Sequence, residues 1–167
     1  PKLTYSVDKI IDLSPDKSIV EINNKQYYIN QCGTYNIYNA LCAFSSSKLL
    51  GIDDSIIYES LKTLNSSFGR QEVIKIHNKN VKIILVKNPA GFDEALNSIN
   101  LDKGNKGLAL LLNDNFADGR DVSWIWDVGF ENLDSDTVSN VMVSGIRLYD
   151  MGIRLKVAGF SEDLFRI

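Results

Sequence analysis

The run KGLALLLN, Lys106 to Asn113, holds an unbroken apolar block from Leu108 to Leu112. A stretch of strand length with no polar alternation is the pattern of a strand in a parallel sheet, screened on both faces. Parallel strands cannot be joined by tight turns, so the residues around this run have to supply crossovers. They do. Upstream, QEVIKIHN and VKIILVK flank Lys79-Asn80 as a hairpin whose second arm is apolar enough to enter a sheet centre, and NPAGFDEALNSINL continues from Pro89 and Gly91 as a short amphipathic helix. Downstream, TVSNVMVSG reads as another strand and IRLYDMGIRLKVAG as a helix closed by Gly159. Strand, helix, strand, loop, strand, helix implies right-handed βαβ units, an α/β Rossmann-like arrangement short of strands at its C-terminal end.

The first part of the chain has a different rhythm. TYSVDKIIDL and SIVEINNKQYYIN are β-rich runs broken at Asn23-Asn24, a hairpin signal. In GTYNIYNALCAFSSSKLLG the period changes: Tyr35, Tyr38, Cys42 and Leu49 fall near one helical face, and Gly51 stops the helix. A second helix follows, with Asp53 or Asp54 as N-cap and Ile57, Leu61 and Leu64 on one stripe. The small polar stretch NSSFG, Asn65 to Gly69, is the natural place for a domain boundary.

Composition excludes more than it suggests. A net charge of −3 gives no bulk electrostatic reason to bind nucleic acid or an anionic membrane. No apolar run approaches the roughly 20 residues of a membrane span, so no transmembrane segment is expected. The start, PKLTYSVDK, has neither the basic nor the apolar region of a signal peptide and no initiator methionine, which suits a piece of something longer. Cys32 and Cys42 fit neither a metal spacing nor a disulfide framework and read as reduced thiols. His77 is the one histidine, expected on the surface or at a hairpin tip. One histidine with no cysteine or serine partner nearby makes nucleophilic catalysis within this chain improbable.

The segment DNFADGRDVSWIWD leaves the carboxyl end of the apolar strand, where ligands meet an α/β sheet. Gly119 permits a sharp turn from which carboxylates project. The alternative is a purely structural loop, with side-chain-capped turns and both tryptophans filling the gap under the sheet.

Several stretches together resemble the Mur ligase family. GTYNIYNALCAF is similar to the G-x-[HY]-N-x-x-N-A-x-A-A element, FGRQE to the GR-x-E connector into the C-terminal domain, and GIRLYDMGIRLKVAG to the R-x-x-D-M-x-x-R-L-K-x-A-G helix. Within the family, LVKNPAGFDEAL and ADGRDVSWIWDVGFENL resemble the MurT-type branch, the ligase-like subunit of lipid II isoglutaminyl synthases. The resemblance implies a Rossmann-like Mur C-terminal domain over 67–167, truncated at its end, and before it, over 1–66, the β-hairpin and helical tail of the central ATP-binding domain. It implies a C–N ligase, using ATP and Mg2+ to amidate the D-glutamate α-carboxyl of the lipid II stem peptide with glutamine-derived ammonia. The Gly-rich phosphate loop and four-cysteine zinc ribbon of that branch are not in this sequence, so zinc is expected only in a preceding part, and the fragment alone is expected to be inactive. The implied partner is a glutaminase subunit of class I amidotransferase type, forming a heterodimer. The implied place is the cytoplasm, at the inner membrane face of a Gram-positive-type bacterium.

Carried over residue by residue, Asn36, Asn39 and Arg70 match nucleotide-contacting positions; a guanidinium suits phosphate oxygens. The alternatives are asparagines that cap a helix start and a solvated linker cation. Asp118, in ADG, matches the aspartate that completes the partner's Cys-His site. Trp124 and Trp126 would stiffen the loop and supply interface area, and Arg120, Asp121 and Asp127 would fix the loop locally. One departure stands out: ILVKNP places Ile84 and Lys87 where amino-acid-adding Mur ligases carry the aspartate and histidine of D-Y-x-H-x-P. Ammonia as nucleophile agrees with that loss. The rival readings are an amino-acid-adding Mur-like synthetase and a non-catalytic partner-docking module.

Overall fold

A computed structural model describes residues 4–65 and 69–166. By its contacts the chain divides into two units, Pro1–Leu85 and Val86–Ile167. The boundary expected between residues 66 and 67 lies outside the described residues, and the hairpin that follows it groups with the first unit.

In the first unit, β1 (Val7–Leu13), β2 (Ser18–Ile22) and β3 (Lys25–Ile29) form an antiparallel sheet in that order. Asn23 and Asn24, at φ 50° and 61°, make the two-residue turn between β2 and β3. Positive φ at both turn positions matches the twist of the strands, and asparagine tolerates it. Helices α1 (Thr34–Leu49) and α2 (Asp54–Thr63) cover this sheet. Val20, Ile22, Tyr27 and Ile29 pack with Ile37, Ala40 and Phe44 of α1 and Ile57 and Leu61 of α2. Phe44 meets the rings of Tyr5 and Tyr27 edge-on, at 5.3 and 5.1 Å between centroids. The buried face of α1 is therefore not the expected one: Tyr38, Cys42 and Leu49 are exposed. Apolar residues surround most of α1, so periodicity alone does not choose a face; packing against β2 and β3 does. In α2, Leu64 lies past the helix end and is exposed. Asp53 flanks that helix without a side-chain cap, while Asp54 pairs with Lys25 and Lys48 at 3.0 and 2.6 Å.

Strands β4 (Arg70–Ile76) and β5 (Lys79–Ile84) form a separate two-stranded sheet. Ile76 pairs with Lys79, so the turn is His77-Asn78, two residues before the expected Lys79-Asn80. His77 sits exposed at the tip with φ 52°. The second arm does not enter a larger sheet among the described residues.

The second unit begins with α3 (Pro89–Leu101), where the Asn88 side chain accepts from the Gly91 amide at 2.7 Å and Pro89 takes the first turn. Then β6 (Lys106–Leu111), β7 (Val138–Ser144) and β8 (Phe165–Arg166) run parallel in that order, with α4 (Leu148–Val157) crossing from β7 to β8. This is the α/β architecture with a parallel sheet that the sequence implies. Screening on both faces is not found. Leu108, Leu110, Val141 and Val143 face the core, whereas Leu111 and Met142 are exposed.

The ends of β6 and β7 are locked together at Gly145. The Leu112 amide donates to the Ser144 carbonyl, and the Arg147 amide donates to the Leu112 carbonyl, each at 3.0 Å. At φ 94°, a Cβ on Gly145 would lie 2.3 Å from the Leu112 oxygen. Gly145→Ala should therefore destabilise the second unit by at least about 2 kcal/mol, adding a left-handed penalty to a backbone clash. Urea denaturation followed by tryptophan fluorescence reads this directly, because both tryptophans lie in that unit.

Candidate functional site

The loop from Asn113 to Leu133 is built in two tiers. The outer tier follows β6. Asn113 Oδ1 accepts the Ile146 amide at 3.0 Å, and Asp114 pairs with Arg147 at 3.7 Å, which also holds Asp150 at 3.0 Å. The amides of Asp118 and Gly119 both donate to the Asn115 carbonyl, at 2.9 and 3.1 Å, and Asn115 Nδ2 donates to Asp118 Oδ2 at 3.1 Å. Asp118 is thus an exposed carboxylate on a closed local turn, with Oδ1 taking no hydrogen bond from the described residues. Asp121 Oδ1 accepts the Ser123 amide at 2.8 Å, and hydrogen bonds from Ser123 hold its carboxyl below the ordinary aspartate range. Arg120 and Asp127 are exposed, and neither makes an ion pair among the described residues.

The inner tier is a 3-10 turn, Ser123–Asp127, followed by a second at Phe130–Asn132. Ile125, Val128 and Phe130 are at most 1% exposed and join the core with Phe92, Leu96, Met151 and Leu155. The two tryptophans part company. Trp124 is half-buried and meets the Phe92 ring at 6.3 Å; Trp126 is half-exposed, its ring over the Arg154 guanidinium at 5.7 Å.

Arg154 organises this tier. From α4 it donates to the carbonyls of Ile125 (3.2 Å) and Val128 (2.5 Å) and, bidentately, to Glu131 (2.8 and 2.9 Å). Its side chain is 4% exposed, against 53% for Glu131. From the other side, Asp93 accepts the Gly129 amide at 2.8 Å, and Asn100 bonds the Asn132 carbonyl and the Asp134 amide, each at 2.9 Å. Sequence reasoning singled out neither Arg154 nor Glu131. Their 23-residue separation carries no spacing signal.

In the first unit the predicted nucleotide residues differ in availability. Asn36 is buried, its Nδ2 donating to the Cys32 carbonyl at 2.8 Å, so it fixes the entry to α1. Asn39, one turn on, is exposed, as is Arg70 at the start of β4. Gln71, absent from the sequence reading, ties these elements: it is buried at φ 60°, and its amide donates to Tyr35 Oη at 2.5 Å and the Cys32 carbonyl at 3.2 Å. Cys32 Sγ in turn lies 2.9 Å from Gln71 Oε1. Among the described residues, no group of three or more histidine, cysteine or acidic side chains could hold a metal.

Residues 85–167 match the family described as "MurT ligase C-terminal". Over 163 residues the chain is 37% identical to the "Lipid II isoglutaminyl synthase (glutamine-hydrolyzing) subunit MurT" of Streptococcus pneumoniae (strain ATCC BAA-255 / R6), covering 98% of this chain and 36% of the relative. The protein of that name in Staphylococcus aureus (strain COL) is also 37% identical, over 83% of this chain and 32% of its own length. The chain therefore spans about a third of these relatives. Among solved structures, MurF from Acinetobacter baumannii superposes with a TM-score of 0.71 at 16% identity over 97% of this chain and 35% of its own. MurC from Thermotoga maritima gives 0.71 at 15% identity over 95% and 36%. At such identities these two support the fold.

Arg154→Ala should destabilise the second unit by about 2–4 kcal/mol, since two buried carbonyls and Glu131 lose their donor together. Arg154→Lys should recover less than half, because an ammonium cannot reach three acceptors at fixed angles. Arg154 also holds the Glu131 carboxyl below its ordinary value of 4.5. A depressed folded-state value contributes stability that is present above pH 4.5 and lost as pH falls through the folded value. Glu131→Gln should flatten that acid limb in pH-dependent urea denaturation.

Proposed function

The chain belongs to the Mur ligase family, with residues 85–167 its MurT-type C-terminal domain, and on that premise we propose that it works within the ligase-type subunit of a glutamine-hydrolysing lipid II isoglutaminyl synthase. The observation that carries the reading is Asp118: an exposed carboxylate on a self-closed turn above a loop locked from beneath by Arg154. A carboxylate that orients another subunit's imidazole has to be ionised, reachable and held still. Phe116, Ile146 and Tyr149, exposed at 91%, 62% and 73%, lie on this loop and on the segment bonded to it, as apolar area for a docking subunit. The partner is a glutaminase with its own cysteine and histidine, which delivers ammonia to the ligase subunit.

ATP and Mg2+ activate the D-glutamate α-carboxyl of the lipid II stem as an acyl phosphate, which ammonia displaces. Arg70 and Asn39 reach the nucleotide from the first unit; Asn36 holds the α1 entry that positions them. The nucleotide's phosphate loop and the zinc ribbon belong to parts beyond this sequence. No helix among the described residues is long and apolar enough to cross a membrane, and the enzyme meets its lipid-anchored substrate from the cytoplasmic side. Lys87, exposed before the α3 cap, stands where an amino-acid-adding enzyme needs its histidine, which favours ammonia.

In the full-length complex, Arg70→Ala should impair amidation with either glutamine or free ammonia, since acyl phosphate formation precedes both; normal activity with ammonia would reduce Arg70 to a surface cation. Asp118→Asn should spare assembly and ammonia-dependent amidation and lower glutamine hydrolysis. The matching substitution in a serine-protease triad costs about 10⁴ in turnover, and a cysteine nucleophile should lose less. Normal glutamine hydrolysis by Asp118→Asn would refute the assignment.

A further inference from the structure

Among the described residues, four that are not glycine take a positive φ, and three of them sit in hairpin turns. The fourth is Gln71, at φ 60° inside β4, where a left-handed residue has no turn to serve. Strand register shows its effect. Arg70 pairs with Ile84 and Glu72 with the adjacent Ile83, so Gln71 is the extra residue of a β-bulge, a left-handed position ordinarily filled by glycine. Counted along the ladder, Arg70 then falls on the same face as Val73 and Lys82, and Glu72 on the other with Ile74 and Ile76. Without the bulge, alternation would put Arg70 and Glu72 together. Lys82 marks which face this is, since its Nζ donates to the Pro15 carbonyl at 2.7 Å and lies 3.4 Å from Cys32 Sγ. Arg70 is thus carried on the face that turns toward the entry of α1.

A left-handed glutamine within a strand has to be held there by its surroundings. The Gln71 side chain is buried. Its amide donates to the Cys32 carbonyl at 3.2 Å and to Tyr35 Oη at 2.5 Å, and its Oε1 accepts from the Cys32 thiol at 2.9 Å. The same Cys32 carbonyl takes the Asn36 amide at 2.8 Å, so the bulge and the start of α1 share one acceptor. Gly33 leaves the room: a Cβ there would stand 3.0 Å from the Tyr35 ring and 3.7 Å from Gln71 Nε2. A bulge adds no ladder pair to the hairpin; what it changes is the face on which Arg70 is carried.

We propose that Gln71 is a positioning residue whose left-handed bulge directs Arg70 at the nucleotide phosphates. This role rests on the proposed contact of Arg70 with the nucleotide and adds the device that aims it. Gln71 touches no ligand and acts through Arg70 alone. Its backbone conformation carries the effect, because the bulge sets the face and the side-chain bonds hold the bulge.

The test is the KM for ATP of the full-length subunit in complex with its glutaminase, with free ammonia as nitrogen source. Gln71→Val removes the side-chain bonds and disfavours the left-handed conformation, so residue 71 enters the ladder and Arg70 changes face. It should raise that KM roughly tenfold to a hundredfold, as Arg70→Ala does, the range expected when a charge-assisted contact is lost. The double variant Arg70→Ala/Gln71→Val should be no worse than Arg70→Ala, because Gln71 acts only through Arg70. Gln71→Gly lacks the same bonds but takes φ 60° freely, and should recover most of the loss. Circular dichroism confirms that the variants fold. If Gln71→Val does not, Gln71→Ala, which shares its left-handed penalty without the branched side chain, takes its place beside Gln71→Gly. An unchanged KM in that variant, effects that multiply in the double variant, or a glycine variant as impaired as the valine one would overturn the proposal. If Arg70→Ala itself leaves the KM unchanged, the nucleotide contact fails and this role with it; if only the Gln71 variants do, the proposed function stands.

Discussion

A guanidinium taken out of water is costly unless nearly every donor finds an acceptor. Arg154 meets that demand with two backbone carbonyls and both oxygens of Glu131, and the aromatic faces of Trp126 and Phe130 lie over it at 5.7 and 5.3 Å. The consequence reaches beyond one ion pair. The acceptors are spread along the irregular chain from Ile125 to Glu131, which has no ladder of its own to satisfy its carbonyls. Arg154 therefore serves that segment as a strand neighbour would. It fastens the loop leaving β6 to the helix leaving β7, and Asp93 and Asn100 close the arrangement from α3. With that tier fixed, the outer turn at Asn115–Gly119 needs only its own short hydrogen bonds to present Asp118.

Under the proposed function, the two units divide the chemistry. In the first, a small antiparallel sheet under two helices, Asn36 of α1 and Gln71 of β4 are tied to the same Cys32 carbonyl by buried bonds. Those two amides work as fasteners, so the residues left to meet a ligand are the exposed ones. The second unit holds the carboxylate-bearing loop and, under the proposed function, faces the other subunit. On the same proposal, an activating half and a docking half suit an enzyme whose nucleophile arrives from elsewhere.

What was legible in the sequence follows from how local its cause is. The Asn23-Asn24 turn, the Asn88-Pro89 start of α3, the Gly159 stop of α4 and the parallel character of LALLL are each set within a few residues. The buried face of α1 was not, because Tyr35, Ile37, Tyr38, Ala40 and Phe44 offer competing stripes and only packing against β2 and β3 decides. The hairpin turn moved to His77-Asn78 for a similar reason: both dipeptides are polar, and strand register chooses. For the site, the place of the loop at the carboxyl end of β6 was readable from the apolar strand before DNFADGRD, and the structure sets Asp118 on that loop as an exposed carboxylate. The Arg154–Glu131 pair and the strained Gln71 were not, since each depends on residues brought together from far along the chain.

The central claim is that the loop held by Arg154 presents Asp118 to the catalytic histidine of a second subunit. A structure of the full-length subunit bound to its glutaminase measures this as one distance. The account predicts an Asp118 carboxylate oxygen at hydrogen-bonding distance, about 2.7–3.2 Å, from the imidazole nitrogen facing away from the cysteine. An active complex in which that imidazole is held by the glutaminase's own carboxylate, with Asp118 facing solvent, would contradict it.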